Sequence, residues 1–159
     1  MTYLFDASSI YKLVVQGKAL PLVDGITITL APYELGNIVW KEHLLHKALT
    51  YSEAAAVLET INGVVDKMAV VNIVGRHKEI LEVASKNSVS FYDASYIVIA
   101  KQTGSTLVTE DGSLAKKAMR LMAVRNSDQL YAEREEGFGA FTGQFKPFTK
   151  EDKSGEHKW

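Results

Sequence analysis

Four acidic side chains stand where predicted strands end or predicted helices begin. Asp6 directly follows a short apolar run of strand type, and Asp111 follows a second such run with one residue between. The other two, Glu34 and Asp93, fall in the first turns of predicted helices. In a parallel sheet the carboxyl ends of the strands meet at one edge, where ligands bind. We therefore expect the four carboxylates to face a common cleft.

A cleft that collects several carboxylates has a definite chemistry. Like charges repel each other there unless a hard divalent cation supplies the compensating charge. Mg²⁺ prefers oxygen ligands, keeps several waters, and is held by one or two protein carboxylates together with phosphate oxygens of a substrate. The acidic residues thus predict a Mg²⁺ or Mn²⁺ site.

Alternating strand and helix patterns supply the scaffold that must position these acids. β-Branched and apolar runs predict strands, and apolar residues at helical spacing predict helices. The alternation favours an α/β sandwich around a mainly parallel sheet. Ser52 is predicted to cap the third helix, and Asn62-Gly63 to end it. The predicted strands span 2–5, 26–30, 68–74, 106–109 and 122–124, and the predicted helices span 7–15, 32–47, 53–61, 77–84, 91–102 and 113–120.

Length and composition limit the classes of protein to consider. The chain has 159 residues, of which 47% are hydrophobic, and this suits one ordinary domain. A net charge of −1 gives no strong global field for nucleic acid or an anionic membrane, so a polyanion must be held locally. The absence of cysteine excludes disulfides and thiolate metal sites. With no apolar run long enough for a membrane span, we expect a soluble, cytoplasmic protein.

The character of the sequence changes near residue 131. Residues 1–130 are interpreted as the folded domain, and residues 131–159 as a polar C-terminal tail without clear periodicity. This tail is nevertheless richer in aromatic residues than most solvated linkers. It is therefore expected to dock on the domain or on a partner subunit. Its aromatic residues are Phe138, Phe141, Phe145, Phe148 and Trp159.

Four short motifs, in order along the chain, resemble those of PIN-domain ribonucleases, particularly the VapC toxins of VapBC toxin–antitoxin pairs. The similarity runs from Met1 to about Asn126, and no single motif is specific without the others. The motifs are LFDASS at 4–9, YELGNIVWK at 33–41, YDASYIVIA at 92–100 and LVTEDGSL at 107–114.

This resemblance implies a fold, an activity and partners. The implied fold is a PIN-like three-layer α/β/α sandwich, and the implied activity is Mg²⁺- or Mn²⁺-dependent endoribonucleolytic hydrolysis of RNA phosphodiester bonds. A cognate antitoxin and a homodimer are the implied protein partners. By the same resemblance the catalytic and metal-binding acids are Asp6, Glu34, Asp93 and Asp111, with the catalytic hydroxyls of Ser8 and Thr109 beside them.

Other functions and simpler roles compete with this interpretation. Each acid also suits a helix N-terminus, where Asp caps the backbone and a carboxylate complements the helix dipole. An aspartate-nucleophile phosphatase also begins with a strand and an aspartate, but it needs a second acid two residues later, where this chain has Ser8. A non-catalytic RNA-binding or assembly module is the alternative that keeps the fold and the acids.

Two further features have open roles. Glu110 departs from the family pattern, in which that position is commonly neutral or basic, and strand alternation predicts that it faces solvent. Its alternative role is a fifth acid of the cluster. A basic patch after Asp111 is either a surface for the RNA backbone or a solvated helix face. This patch contains Lys116, Lys117, Arg120 and Arg125.

Overall fold

Five short parallel strands form the central sheet of the chain. The structure is a computed structural model and describes residues 1–138. The strand order is β3-β2-β1-β4-β5, and all four pairings are parallel. The predicted mainly parallel sheet is therefore confirmed. The strands are β1 (Tyr3–Phe5), β2 (Ile26–Ile28), β3 (Ala69–Val71), β4 (Thr106–Val108) and β5 (Val124–Arg125).

Helices cover both faces of this sheet and complete the three layers. Alternation along β1 sends Tyr3 and Phe5 into one core and Leu4 into the other. The first core is formed with α1, α2, α3 and Leu130 of α7, and the second with α5 and α6. The helices are α1 (Ala7–Val15), α2 (Ala31–Leu44), α3 (Tyr51–Val65), α4 (His77–Asn87), α5 (Phe91–Gln102), α6 (Gly112–Ala118) and α7 (Ser127–Phe138).

The strand order places a topological switch point beside β1. The chain proceeds outward from β1 to β2 and β3, and then returns to add β4 and β5 on the other side. Connections therefore diverge between the carboxyl ends of β1 and β4, where a crevice forms in sheets of this type. Asp6 follows β1, and Thr109 to Asp111 follow β4. The fold thus brings two of the predicted acidic segments to this switch point.

The carboxyl end of β1 is fixed by both neighbouring strands. The backbone N–H of Asp6 donates to the carbonyl of Val108 at 3.1 Å. On the other side, the Thr27 hydroxyl donates to the Phe5 carbonyl at 2.8 Å, in a fully buried position. Gly25 leaves room for the Phe5 ring, because an added Cβ would lie 2.5 Å from Phe5 Cε2. The backbone that carries Asp6 consequently has little freedom to move.

The predicted element boundaries agree best where local signals are strong. The ranges 7–15 and 91–102 are observed as predicted. The predicted start and end of the third helix are wrong. Thr50, and not Ser52, caps α3, in a capping box with Glu53. The helix also continues through Asn62 and Gly63, because the buried side chains of Val64 and Val65 extend its packed face.

Helix α2 ends earlier than predicted, and α7 extends into the predicted tail. The second helix was predicted to continue to residue 47, but α2 ends at Leu44 and Leu45 is 59% exposed. Residues 131–138, assigned to the tail on sequence, continue α7. The remainder of that tail, with the predicted docking of its aromatic side chains, lies outside the described residues. Among residues 1–138, no helix is long and apolar enough to cross a membrane.

Candidate active site

Asp6 is the most buried of the four acids and is 5% exposed. It caps α1, because its Oδ1 accepts a hydrogen bond from the Ser9 backbone N–H at 2.9 Å. The same oxygen accepts from the Ser8 hydroxyl at 2.8 Å, and Oδ2 accepts from the Thr109 hydroxyl. Burial raises the pKa of Asp6 although each of these hydrogen bonds acts to lower it. Capping and a site role are therefore combined in one carboxylate.

The hydroxyls of Ser8 and Thr109 connect Asp6 to the loop after β4. Ser8 Oγ also accepts from the backbone N–H of Glu110 at 3.1 Å. Thr109 Oγ1 accepts from the backbone N–H of Asp111 at 3.0 Å. Each hydroxyl thus donates to the carboxylate and accepts from the loop. Both predicted hydroxyls lie beside Asp6, where they hold the carboxylate and the loop in one arrangement.

Glu34 lies in the first turn of α2 and is partly buried. Desolvation raises the pKa of its carboxyl group, the hydroxyl of Tyr96 lowers it, and the charges of Asp6 and Asp93 raise it further. The Tyr96 hydroxyl is close to this carboxylate but falls short of hydrogen-bond geometry. Within residues 1–138, neither Glu34 Oε1 nor the Tyr96 hydroxyl has a hydrogen-bond partner. The effects of Asp6 and Asp93 on its pKa indicate that Glu34 lies near both of these acids.

Asp93 and Asp111 form the outer part of the cluster. Desolvation raises the pKa of Asp93, the Ser90 side chain lowers it, and the charge of Asp111 raises it. Lys117 lies near enough to lower it again. Asp111 is exposed and caps α6, with Oδ1 accepting from the backbone N–H groups of Ser113 and Leu114 at 2.9 and 3.0 Å. One oxygen of Asp111 is therefore committed to the helix.

The four acids interact in successive pairs. Asp6 interacts with Glu34, Glu34 with Asp93, and Asp93 with Asp111, through charges that raise the pKa of Glu34 and of Asp93. In the part of the chain that the structure describes, no three acidic or histidine side chains are close enough to ligate one ion together. We call the four acids that interact in this succession the acidic row.

Comparison with known proteins places the chain in a family. It is 34% identical over 117 residues to the exonuclease VapC9 of Pyrobaculum aerophilum, covering 72% of this chain and 84% of the relative. It is also 34% identical over 91 residues to the ribonuclease VapC3 of the same organism, covering 57% and 69% of the two chains. The chain belongs to the VapC family of PIN-domain ribonucleases. No protein-family model matches it.

Solved structures support the same fold for this VapC-family chain. The crystal structure of PAE2754 from Pyrobaculum aerophilum superposes with a TM-score of 0.69 at 28% identity, covering 84% of this chain and 88% of the other. FitAB, solved bound to a DNA fragment, superposes with a TM-score of 0.58 at 16% identity, covering 79% and 95%. The second likeness concerns the fold alone. The predicted PIN-like α/β/α sandwich is thus confirmed.

The prediction that Glu110 faces solvent is wrong for this VapC-family chain. Its side chain is 22% exposed, and Oε2 pairs with Lys12 Nζ of α1 at 2.9 Å. Oε1 accepts from the backbone N–H of Ser127, at the start of α7, at 2.7 Å. Strand alternation does not apply here, because β4 ends at Val108 and Glu110 lies in the following loop. Glu110 therefore joins the loop between Thr109 and Asp111 to two helices.

The charge of Glu110 should contribute to stability in a pH-dependent way. Desolvation acts to raise its pKa, but the hydrogen bonds from Ser127 and the contact with Lys12 prevail, and the pKa lies below 4.5. The unfolded state consequently binds more protons, so stability rises with pH through this range. We expect Glu110→Gln to cost about 1 kcal/mol of unfolding free energy at pH 7. That difference should shrink as the pH falls from 4.5 through the folded pKa.

Chemical denaturation of both proteins at several pH values measures this difference. Glu82→Gln is the matched control, because Glu82 pairs with Lys86 at 2.5 Å on an exposed face of α4. It should change stability little at any pH. A Glu110→Gln cost that stays constant from pH 7 to pH 3, or that is absent at pH 7, contradicts the proposed role of the charge.

Two of the basic residues after Asp111 contact other residues, and two are exposed on the surface. Lys117 Nζ donates to the Ser88 carbonyl at 2.6 Å and lies near Asp93. Arg125 pairs with Glu133 at 2.8 Å. Lys116 and Arg120 are exposed to solvent. Lys117 is therefore a cation of this patch whose charge reaches the acidic row.

Sequence reasoning missed Tyr96 and the partners of Glu110. Glu110 gave a signal as an unexpected acid, but its partners come from α1 and α7 and are distant in sequence. Tyr96 gave a local signal, since it lies three residues after Asp93 and residues at that spacing share a helix side. Its ring also suits the buried face of α5, so the sequence identified it as a core residue only.

Proposed function

We propose that this VapC-family chain is an endoribonuclease that hydrolyses RNA phosphodiester bonds with the help of Mg²⁺ or Mn²⁺. The observation that carries the proposal is the position of the acidic row, which begins with Asp6 at the switch point between β1 and β4. Ligands bind at that position in doubly wound sheets. The names of the two relatives, an exonuclease and a ribonuclease, agree with a nuclease.

The residues present fit a hard divalent cation. Carboxylate and hydroxyl oxygens are the ligands that Mg²⁺ and Mn²⁺ prefer. Glu34 Oε1 is buried and has no partner among residues 1–138, as expected for an oxygen that serves a ligand. Mg²⁺ needs only one or two protein carboxylates, so a row of pairs is sufficient. We assign Asp6, Glu34, Asp93 and Asp111 as the residues that would hold it.

The cation, when bound, would lower the pKa of water and offset the charge that develops on the phosphate. Asp6 would provide a fixed negative centre, because both of its oxygens are held by hydroxyls and backbone. Ser8 and Thr109 keep that carboxylate oriented and are assigned no role as nucleophiles. Lys117 is placed to meet a phosphate next to the row, since its charge already acts on Asp93.

Cleavage of a circular RNA tests the endonucleolytic part of the proposal. A circle has no end, so an endonuclease linearises it and an exonuclease leaves it intact. We expect linear product from a single-stranded circle with Mn²⁺ and none when EDTA replaces the metal. Products should carry a 5′-phosphate and a 3′-hydroxyl, which labelling with kinase before and after phosphatase treatment distinguishes.

The outcomes of that experiment separate the candidate functions. Degradation of linear RNA with an intact circle would replace the endonuclease by an exonuclease. No cleavage of any RNA pool, linear or circular, would favour the non-catalytic RNA-binding or assembly module.

We further propose that the chain is the toxin of a toxin–antitoxin pair and that it forms a homodimer. Both proposals follow from membership of the VapC family. Sedimentation velocity of the full chain tests the dimer, and a monomer at micromolar concentration would contradict it. Growth arrest on expression, relieved by the product of an adjacent small reading frame, tests the toxin role. Expression without any effect on growth would speak against that role.

A further inference from the structure

The hydroxyl of Tyr96 is a buried polar atom beside the acidic row. Tyr96 lies on α5 and is 1% exposed, with its ring packed in the core between α5 and the sheet. Its hydroxyl oxygen has no hydrogen-bond partner among residues 1–138. A Tyr hydroxyl that is buried usually has such a partner, because leaving water without one is costly. Packing of the ring therefore does not by itself account for a hydroxyl at this position.

The surroundings of this hydroxyl are the acids of the candidate site. The charges of Glu34 and Asp6 both act on it and, after desolvation, raise its pKa above the ordinary value. The backbone N–H of Ala7, next to Asp6, is also close to it. Glu34 Oε1 is buried as well and lacks a partner in the described part of the chain. Two buried oxygens without partners thus lie near each other.

These two oxygens are chemically complementary. A phenol hydroxyl can donate a hydrogen bond, whereas a carboxylate oxygen can accept hydrogen bonds but cannot donate them. A small change in the Glu34 side chain would let the hydroxyl donate to Oε1, and this carboxylate oxygen has a second lone pair left for a cation. Residues that hold a metal-binding carboxylate in this way tune both its orientation and its affinity. A phenylalanine at this position would fill the same space without the unpaired hydroxyl.

We propose that Tyr96 is a positioning residue of the active site, whose hydroxyl donates to the Glu34 carboxylate and orients it toward a divalent cation. The inference rests on the proposed function, because it assumes that the acidic row takes Mg²⁺ or Mn²⁺. Tyr96 contacts neither RNA nor the reacting atoms in this account and acts through Glu34. It adds a neutral donor to a site otherwise made of carboxylates and hydroxyls.

The variant Tyr96→Phe tests the inference, because it removes one oxygen and retains the packed ring. Its affinity for Mn²⁺ is measured by isothermal titration calorimetry of the full chain without RNA, and its stability by thermal unfolding without metal. We expect the dissociation constant to rise about tenfold. The unfolding temperature without metal should be unchanged or higher, since an unpaired buried hydroxyl is lost. Tyr3→Phe is the matched control, because its hydroxyl contacts Met1 Sδ at 3.1 Å and it is likewise buried.

Each outcome decides the inference. An Mn²⁺ dissociation constant for Tyr96→Phe within twofold of wild type overturns it and leaves the nuclease proposal standing. A clear loss of metal-free stability in Tyr96→Phe, absent from Tyr3→Phe, also overturns it, because the hydroxyl would then be structural. Wild-type protein that binds no Mn²⁺ overturns the metal-dependent function and this inference together. A tenfold weaker affinity with unchanged metal-free stability supports it.

Discussion

The substitution Asp6→Asn is expected to reduce RNA cleavage by at least about 100-fold while the protein stays folded. The change removes the charge of the most buried acid of the row and keeps the size of the side chain. Asparagine retains Oδ1, which can still accept from the Ser9 backbone N–H and cap α1. Burial disfavours the charged form of Asp6, so neutralising it removes a cost to the folded state. The unfolding temperature should therefore remain within a few degrees of wild type or increase.

Initial rates on a fixed RNA substrate, together with thermal unfolding, measure both parts of this expectation. Asp24→Asn is the control, because Asp24 is exposed and lies just before β2, at the opposite edge of the parallel sheet. It should cleave at the wild-type rate. Wild-type cleavage by Asp6→Asn would remove Asp6 from the catalytic assignment, and loss of activity in both variants would show that the effect is not specific to the site.

Mn²⁺ is expected to stabilise the wild-type protein strongly. A ligand that binds only the folded state adds about 2.7 kcal/mol at 100 times its dissociation constant. For a chain of this length that corresponds to a rise of roughly 5–10 °C in unfolding temperature. The physical reason is the repulsion within the row, where Asp6 and Asp93 raise the pKa of Glu34 and Asp111 raises that of Asp93. A bound cation would turn this repulsion into attraction.

Thermal unfolding over a titration of MnCl₂ measures the effect, with NaCl at matched ionic strength as the control for screening. Asp6→Asn and Asp93→Asn should lose most of the rise. A wild-type unfolding temperature that does not respond to Mn²⁺ or Mg²⁺ would contradict a resident metal. An equal rise in the two variants would place the cation elsewhere on the protein.

The surroundings of Asp6 explain why such a site can be both costly and well ordered. Hydrogen bonds from Ser8 and Thr109 hold the carboxylate, and the same hydroxyls accept from the loop after β4. Glu110 holds that loop from its other side through Lys12 and the start of α7. The ion pair between Glu110 and Lys12 therefore helps to fix the loop that carries Thr109 and Asp111.

Local signals in the sequence were sufficient to predict the strands and helices that carry the acids. Asp6 and Asp111 each follow a strand and cap the next helix, and this junction is defined by residues close together in the chain. Helix α5 was predicted with its observed limits for the same reason. The local signal failed in α3, where Asn62-Gly63 favoured an end but the burial of the following valines continued the helix. Packing outweighed propensity there.

The sequence by itself determined the types of chemical group and their places at the ends of strands and helices, because caps, turns and apolar periodicity act over a few residues. Only the tertiary structure decided which groups meet. The strand order that sets β4 beside β1 brings Thr109 to Asp6, across a separation of 103 residues. The pairing of Glu110 with Lys12 and the position of the Tyr96 hydroxyl beside Glu34 likewise depend on helices that pack together from distant parts of the chain. Such contacts follow from the fold as a whole, since no local pattern encodes the partner of a side chain.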